Sequence, residues 1–564
     1  MPNILELNQT IRHVRRYAEI VHVLARYGFA DVVQELGLDR LLERGMAAVG
    51  VGKLAPEFEH LPRATRLRQA MEELGPTFVK LGQLLSTRRD LVPQDWADEF
   101  TKLQDNVPPV PFEQIAEVLK AEFGERQAEL FKEIEHEPIG SASMAQVHRA
   151  VLADGTSIVL KILRPGIREV TQTDMEVMRT LAEFAEARLS NLGYSPIEVV
   201  NEFARELERE VDLRHEGRST ERLRRQFVLD ESVSFPKVYW EATTGSVLAL
   251  EEIRGVLLSR LKEGDLTPEE QRLVVANGAK AVLRMCLDIG FFHADPHPGN
   301  LFAMPGGKVC FIDCGMTGQL DETTTYQLAD LVLGVVQADS EKVLGVVADL
   351  ADVDPIKLED RGLRSDVRDF IAHFQNTPLD QLNMADLLEE FFQKLRAHHL
   401  RCPGDLVLLI KALATIEAVG ERLDPSFDMV EFATPHLERL VARRYSMRAM
   451  RKRFQAGMLR YVELVEDLPD DVRSIVNQLK RNRLAVNLEH RGLSRLTQTI
   501  EHASRNISFA LIVAAMMVGS SILVLASRSV GGVALQAIGI AGFAAAAVLV
   551  LLIMLSSRKI KDGD

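Results

Sequence analysis

Hydrophobic positions along this chain change their period several times, and each change marks a different kind of element. Residues 76–87, PTFVKLGQLLST, spread Phe78, Val79, Leu81, Leu84 and Leu85 around most of a helix. Lys80 and Gln83, three apart, are left on one narrow polar line. From 137 to 167 the period drops to two: EPIGSASMAQVHRAVLADGTSIVLKILRPGI reads as strand, small-residue loop, strand, Asp-Gly turn and strand. ELEREVDLRHEGRSTERL (206–223) returns to a helical period and carries Glu206, Glu210, Asp212 and Glu216. FPKVYWEATTGSVLALEEIRG (235–255) reads as two strands leading to a linker near Glu251 and Glu252. After further helical pattern, FFHADPHPGN (291–300) breaks the rhythm, and LFAMPGGKVCFI (301–312) reads as a hairpin around a Pro-Gly-Gly turn. Finally ISFALIVAAMMVGSSILVLA (507–526) has no charge over twenty residues, and 533–555 has only Gln536 as a polar side chain. Either stretch is long enough for a helix to cross a hydrocarbon core of roughly 30 Å.

The break at 291–300 is the first candidate for chemistry. Pro296, Pro298 and Gly299 punctuate a turn, and His293, Asp295 and His297 could decorate it or form a metal site. The spacing offers a third reading. Asp295 to Asn300 reproduces the gap of a kinase catalytic loop, H-R-D-x-x-x-x-N, with Ala294 in place of Arg. The hairpin then returns Asp313, in Asp313-Cys314-Gly315, to the side of Asn300. Phosphoryl transfer needs two such oxygen donors to hold Mg²⁺ and a third group to orient the acceptor. The residues upstream fit the same chemistry. Gly140, Ser141, Ala142 and Ser143 are small enough for backbone N–H groups to approach phosphates. Lys161 ends an alternating strand, as does the lysine that pairs with α/β-phosphates, although an exposed strand lysine is the common case. The acidic helix supplies carboxylates to fix that lysine, where otherwise it would be a solvated face. Lysine, carboxylate, linker, catalytic loop and metal aspartate occur in the order of a kinase-like fold.

At this point the chain resembles the UbiB family of atypical, protein-kinase-like ATPases. Lys80-Leu-Gly82-Gln83 is similar to the family's KxGQ signature, and Ile139 to Val147 (with Met144, Ala145 and Gln146) to its phosphate loop. Lys161 matches the ATP-anchoring lysine, Glu210-Val-Asp212 the ExD element, and Glu216 the lysine-pairing glutamate. Asp295 matches the catalytic base, and Asn300 and Asp313 the two metal ligands. The resemblance implies ATP and Mg²⁺ as cofactors. It also implies a KxGQ helix folded across the site with Lys80 near Glu210 and Asp212, and a role in quinone biology. Two departures stand out: Gly140-Ser141 interrupts the alanine-rich loop, leaving ATP-versus-ADP preference open, and Cys314 replaces the aromatic of D-F-G.

Composition sets the remaining expectations. The chain has 564 residues, enough for more than one domain, and a net charge of −14, which gives no support for nucleic-acid binding. Four cysteines make no disulfide framework and fit a reducing compartment. Arg505 before, and Arg558, Lys559 and Lys561 after, the two apolar stretches outnumber Arg528 between them. That bias puts both ends in the cytoplasm and the protein in the inner (plasma) membrane as a multi-pass protein. Gly519, Ser520, Gly539 and Gly542 would permit close helix contact there. Arg443, Arg444, Arg448, Arg451, Lys452 and Arg453 suggest contact with anionic headgroups, or a solvated linker face.

The expected architecture is an α/β (α+β) protein-kinase-like two-lobe fold with a helical N-terminal extension and a C-terminal two-helix transmembrane hairpin. Its parts are the extension (1–110), N-lobe (111–255), C-lobe (256–440), basic juxtamembrane region (441–506), hairpin (507–555) and tail (556–564). The expected function is an ATP-dependent phosphotransferase or ATPase serving ubiquinone or isoprenoid-quinone biosynthesis, in contact with membrane lipids and with quinone-biosynthesis proteins or precursors. A small-molecule phosphotransferase and a non-catalytic nucleotide-binding scaffold or lipid-presenting protein are the alternatives.

Overall fold

The computed structural model describes residues 4–35, 60–88, 91–103, 107–188, 195–351, 360–376, 404–447 and 493–530, with scattered residues at 58, 390–400, 451 and 537–547. It divides into two compact units, Met1–Arg453 and Phe454–Asp564.

The first unit begins with helices. α1 (Ile4–Arg26), α2 (Arg63–Leu74), α3 (Pro76–Thr87) and α4 (Gln94–Phe100) turn their apolar faces inward, burying Ile20, Val23, Met71, Leu74, Phe78, Val79 and Phe100. Each such side chain contributes about 1.5–3 kcal/mol on burial. The same core takes in Ala145 and Leu163 of the following sheet, so the extension shares one core with the N-lobe. Gly82 sits where α3 crosses the others: a Cβ there would collide with Leu103 and Met71.

Next come α5 (Phe112–Phe123) and the strands β1 (Phe131–Ile134), β2 (Gly140–Ser141), β3 (Ala145–Leu152) and β4 (Ser157–Leu163). The helices α6 (Ile167–Arg188), α7 (Pro196–Glu210) and α8 (Leu213–Gln226) precede β5 (Val233–Ser234) and β6 (Val247–Glu251). The main sheet runs β1-β3-β4-β6, antiparallel, with β2 on β3. Alternation in β4 decides the site: Ile158, Leu160 and Ile162 pack with Ile115 and Leu119 of α5 on one face. Lys161 therefore points to the opposite face. Only one of the two strands expected in 235–255 is extended; Val238 makes a single bridge to Leu250 and a 3₁₀ turn follows at Trp240–Ala242. Pro236 lacks the N–H that a longer ladder would require.

In the C-lobe, β7 (Val256–Leu257) and the capped helix α9 (Pro268–Leu283) lead through a π-helical turn, Arg284–Ile289, to β8 (Phe291–His293). β9 (Leu301–Met304) and β10 (Lys308–Phe311) form the expected hairpin, in register Lys308↔Met304 to Phe311↔Leu301. β11 (Thr317–Gln319) pairs back with β8, Thr317 opposite His293. Helices α10 (Glu322–Val336), α11 (Ser340–Ala351), α12 (Arg361–Asn376), α13 (Gly404–Leu423) and α14 (Met429–Arg444) complete the lobe. Two of the basic residues singled out in the sequence are paired within this unit: Arg443 with Asp288 at 2.9 Å and Arg444 with Asp330 at 2.8 Å. Arg448, Lys452 and Arg453 lie outside the described residues.

In the second unit, α15 (Leu493–Val530) is one helix of 38 residues. Gly542 abuts Ser520 so closely that a Cβ would collide with its hydroxyl, whereas Gly519 faces open space. Among the described residues, no helix is long and apolar enough to cross a membrane. The expected transmembrane hairpin, and with it a multi-pass arrangement, is therefore not supported. Its second half lies largely outside the described residues.

Candidate functional site

Three segments converge on Lys161. β4 brings its side chain across the sheet face, where Nζ donates to Glu216 Oε2 at 2.8 Å, Glu216 Oε1 at 3.0 Å and Asp313 Oδ1 at 3.1 Å. Burial pulls the Lys161 ammonium down, but the two carboxylates outweigh it and hold the group above its ordinary value. Burial likewise pushes Asp313 up, and Lys161 reverses that, leaving its carboxyl well below the usual range. Glu216 is buried more completely and its carboxyl is pushed up to about 7, against the pull of Lys161. Asp313 has a positive φ of 53°, a conformation costing of order 1–3 kcal/mol that surrounding structure must impose. Local hydrogen bonds do so: Ile312 N donates to Asn300 O at 2.9 Å and Ala294 N to Met316 O at 3.0 Å.

The ExD element is a corner between two helices. α7 ends at Glu210, Val211 caps it, and Asp212 is the N-cap of α8, accepting from Arg214 N at 3.2 Å. The corner directs two carboxylates into the cleft from one short stretch: Glu210 at the end of α7 and Glu216 in the first turn of α8. Lys80 on α3 meets Glu210, Nζ to Oε1 at 2.6 Å. Asp212, expected beside Lys80 as well, instead holds the Arg214 guanidinium at 2.8 and 2.7 Å. Gln83 ties α3 to the Leu103 carbonyl at 3.3 Å. Glu206, one turn before Glu210, is raised by burial and by Glu210, and feels both Lys80 and Lys411.

The small-residue loop is a tight hairpin between β2 and β3, closed by Ala142 N donating to Ala145 O at 2.8 Å. Gly140 stands over open space. Ile139 N and Val147 O bond at 2.8 Å, while Met144 and Ala145 belong to the core. Gln146 is fully buried and clasps the Val110 backbone. Ser143 is buried too, so Gly140, Ser141 and Ala142 make up the less buried part of the loop. Arg164, three residues past Lys161, donates to Ala142 O at 2.8 Å and Ser141 Oγ at 2.9 Å, fixing the loop from outside.

The catalytic-loop segment is held by its own side chains. His293 donates from Nε2 to Ile312 O at 3.0 Å and accepts from Asp295 N at Nδ1 at 3.1 Å, a pairing that the neutral ring satisfies. His297 Nδ1 accepts from Gly299 N at 2.9 Å. Both rings are thus used in shaping the loop, and among the described residues no group of three or more His, Cys, Asp and Glu could hold a metal ion. Asn300 Nδ2 donates to Asp295 O at 3.2 Å, leaving its amide oxygen as the end available to a cation. Asn300 and Asp313 together offer hard oxygen donors, which fit Mg²⁺ rather than a soft metal. Lys411 of α13 was not expected from the sequence; its Nζ lies 3.1 Å from Asp295 Oδ2 and 3.9 Å from Met316 Sδ. The signal was present, a single lysine inside LVLLIKALA, much as Lys80 stands alone on α3.

The chain is similar to known kinase-like proteins over most of its length. Family models match the ABC1 atypical kinase-like domain over residues 102–347, the UbiB helical domain over 367–428, and the ABC1/UbiB kinase-like C-terminal domain over 491–559. A probable protein kinase UbiB of Xylella fastidiosa (strain 9a5c) is 30% identical over 516 residues, covering 90% of this chain and 93% of the relative. One from Pseudomonas putida (strain W619) is 33% identical over 443 residues, covering 78% and 82%. A chloroplastic protein of Arabidopsis thaliana, ACTIVITY OF BC1 COMPLEX KINASE 7, is 33% identical over 412 residues, covering 73% of this chain and 58% of that protein.

Proposed function

Because the chain belongs to the ABC1/UbiB family of atypical kinase-like proteins, we propose that it binds Mg-ATP in the cleft around Lys161 and hydrolyses it or transfers its terminal phosphoryl group, in support of ubiquinone or another isoprenoid-quinone biosynthesis. The observation carrying this reading is the meeting of Lys161 with both Glu216 and Asp313 within 3.1 Å. Lys161, held by Glu216, supplies a fixed positive charge for the α/β-phosphates, and the hairpin loop offers backbone N–H groups. Asn300 and Asp313 would hold Mg²⁺, which when bound neutralises charge on the phosphates. Asp295 orients the attacking oxygen and takes its proton. α3, tethered by Lys80–Glu210 and packed on the N-lobe core, stands beside these carboxylates and restricts what can approach them.

Two observations support a lipid setting. Ile507, Leu511, Val518, Ile522 and Leu525 are exposed along α15. A cavity of about 670 Å³ in the C-lobe, walled by apolar side chains including Leu331, Phe374, Ile410 and Leu437, has room for an apolar tail. The test is ATP turnover by purified protein, full-length and lacking 507–564, with anionic vesicles and phenolic quinone precursors. The reading expects Mg²⁺-dependent turnover, stimulated by precursor, with vesicle co-sedimentation lost on truncation. Tight ATP binding without turnover under any of these conditions would favour the non-catalytic scaffold.

A further inference from the structure

The loop that carries Asp295 contains no lysine or arginine between His293 and Asn300. Its main chain is fixed, since Asp295 N donates to His293 and Asp295 O accepts from Asn300. Those bonds do not set the carboxylate. Among the described residues, the cation in ion-pair contact with it is Lys411, Nζ to Oδ2 at 3.1 Å. Lys411 comes from a separate helix, α13, whose neighbouring residues Leu409, Ala412 and Leu413 are anchored in the C-lobe core. The backbone carrying the lysine is therefore rigid.

We propose that Lys411 is the positioning residue for Asp295: by binding Oδ2 it fixes the carboxylate rotamer and presents Oδ1 to the nucleophile. This rests on the ATP-turnover reading above. In hydrolysis the water oxygen forms the new bond to the γ-phosphorus, and the bond from that phosphorus to the β–γ bridging oxygen breaks. ADP leaves with the bridging oxygen, and the water's proton passes to Asp295. A carboxylate free to rotate would present neither oxygen at a fixed distance from that water, and small misplacement of a catalytic group costs rate steeply. Lys411 thus governs the chemical step and leaves nucleotide binding, which falls to Lys161 and Asp313, unchanged. Both partners of the pair are about a quarter exposed, at 27% each. The pair is open to solvent screening to that extent, and Lys411→Met keeps the apolar stem in place, so removal of the charge should leave the fold intact.

The experiment compares wild type, Lys411→Met, Lys411→Arg, Asp295→Asn and the double variant Asp295→Asn/Lys411→Met. Mg-ATP affinity and single-turnover hydrolysis are measured for each. Lys411→Met keeps the apolar stem and a good helix former. We expect its rate to fall by about tenfold or more, up to the roughly 10²–10⁴-fold that a general base contributes, with affinity within about twofold of wild type. Lys411→Arg should recover much of the rate. In the Asp295→Asn background, Lys411→Met should change nothing further. A wild-type rate in Lys411→Met would overturn the inference. So would a parallel loss of affinity and rate, since Lys411 would then act on the nucleotide. Absence of turnover in wild type itself would instead sink the underlying reading, and this inference with it.

Discussion

Glu216 is the carboxylate whose protonation the site biases within reach of neutral pH. Burial raises it to about 7 from an ordinary 4.5. A raised acid binds its proton more tightly in the folded state, so the stability it contributes is full below the ordinary value and lost as pH rises through about 7. Thermal unfolding of wild type should therefore fall more steeply than that of Glu216→Gln between about pH 5 and pH 8. Parallel slopes would mean that Glu216 does not titrate there. At this scale the sequence was informative in an uneven way. Lys80 was readable as the charge on the polar line of an apolar helix, and Glu210, the partner that the family resemblance implied, lies beside it. Asp212, which the family resemblance also put beside Lys80, caps α8 and holds Arg214, a use that the resemblance did not indicate. Arg164 and Lys411 were missed. Each acts across a tertiary contact that spacing along the chain does not encode.

Among the elements, α3 deserves separation from ordinary packing helices, because its buried face and its polar line do different work. Phe78 and Val79 hold it to the N-lobe core, while Lys80 reaches Glu210 at 2.6 Å. If the pair tunes the cleft, single replacements of Lys80 and Glu210 by Ala should each alter Mg-ATP affinity. The double replacement should then differ from their sum by on the order of 0.5–3 kcal/mol. Strictly additive effects would reduce α3 to a packing element. The elements legible in advance were those with local signals: the Asp-Gly turn between β3 and β4, and the Pro-Gly-Gly turn of the β9–β10 hairpin. The π-helical turn at Arg284–Ile289 and the shortened strand at Val238 follow from tertiary fit and from one proline, which hydrophobic period does not report.

For the whole molecule, two lobes with separate cores meet around a cleft whose charged groups come from β4, α3, α7, α8, α13 and the loops flanking the β9–β10 hairpin. The kinase-like order of these parts could be read from the sequence because each carries a distinct residue type at a fixed spacing. The membrane hairpin could not be secured in the same way, since uncharged length alone does not say how a helix is used. In the proposed function Lys161, Asn300 and Asp313 act together as one Mg-ATP site. Calorimetric titration of wild type and Asp313→Asn with ATP, with and without Mg²⁺, tests it most directly. Wild type should bind in a Mg²⁺-dependent way, and a folded Asp313→Asn should lose that dependence. Equal Mg-ATP affinity in the two proteins would contradict it.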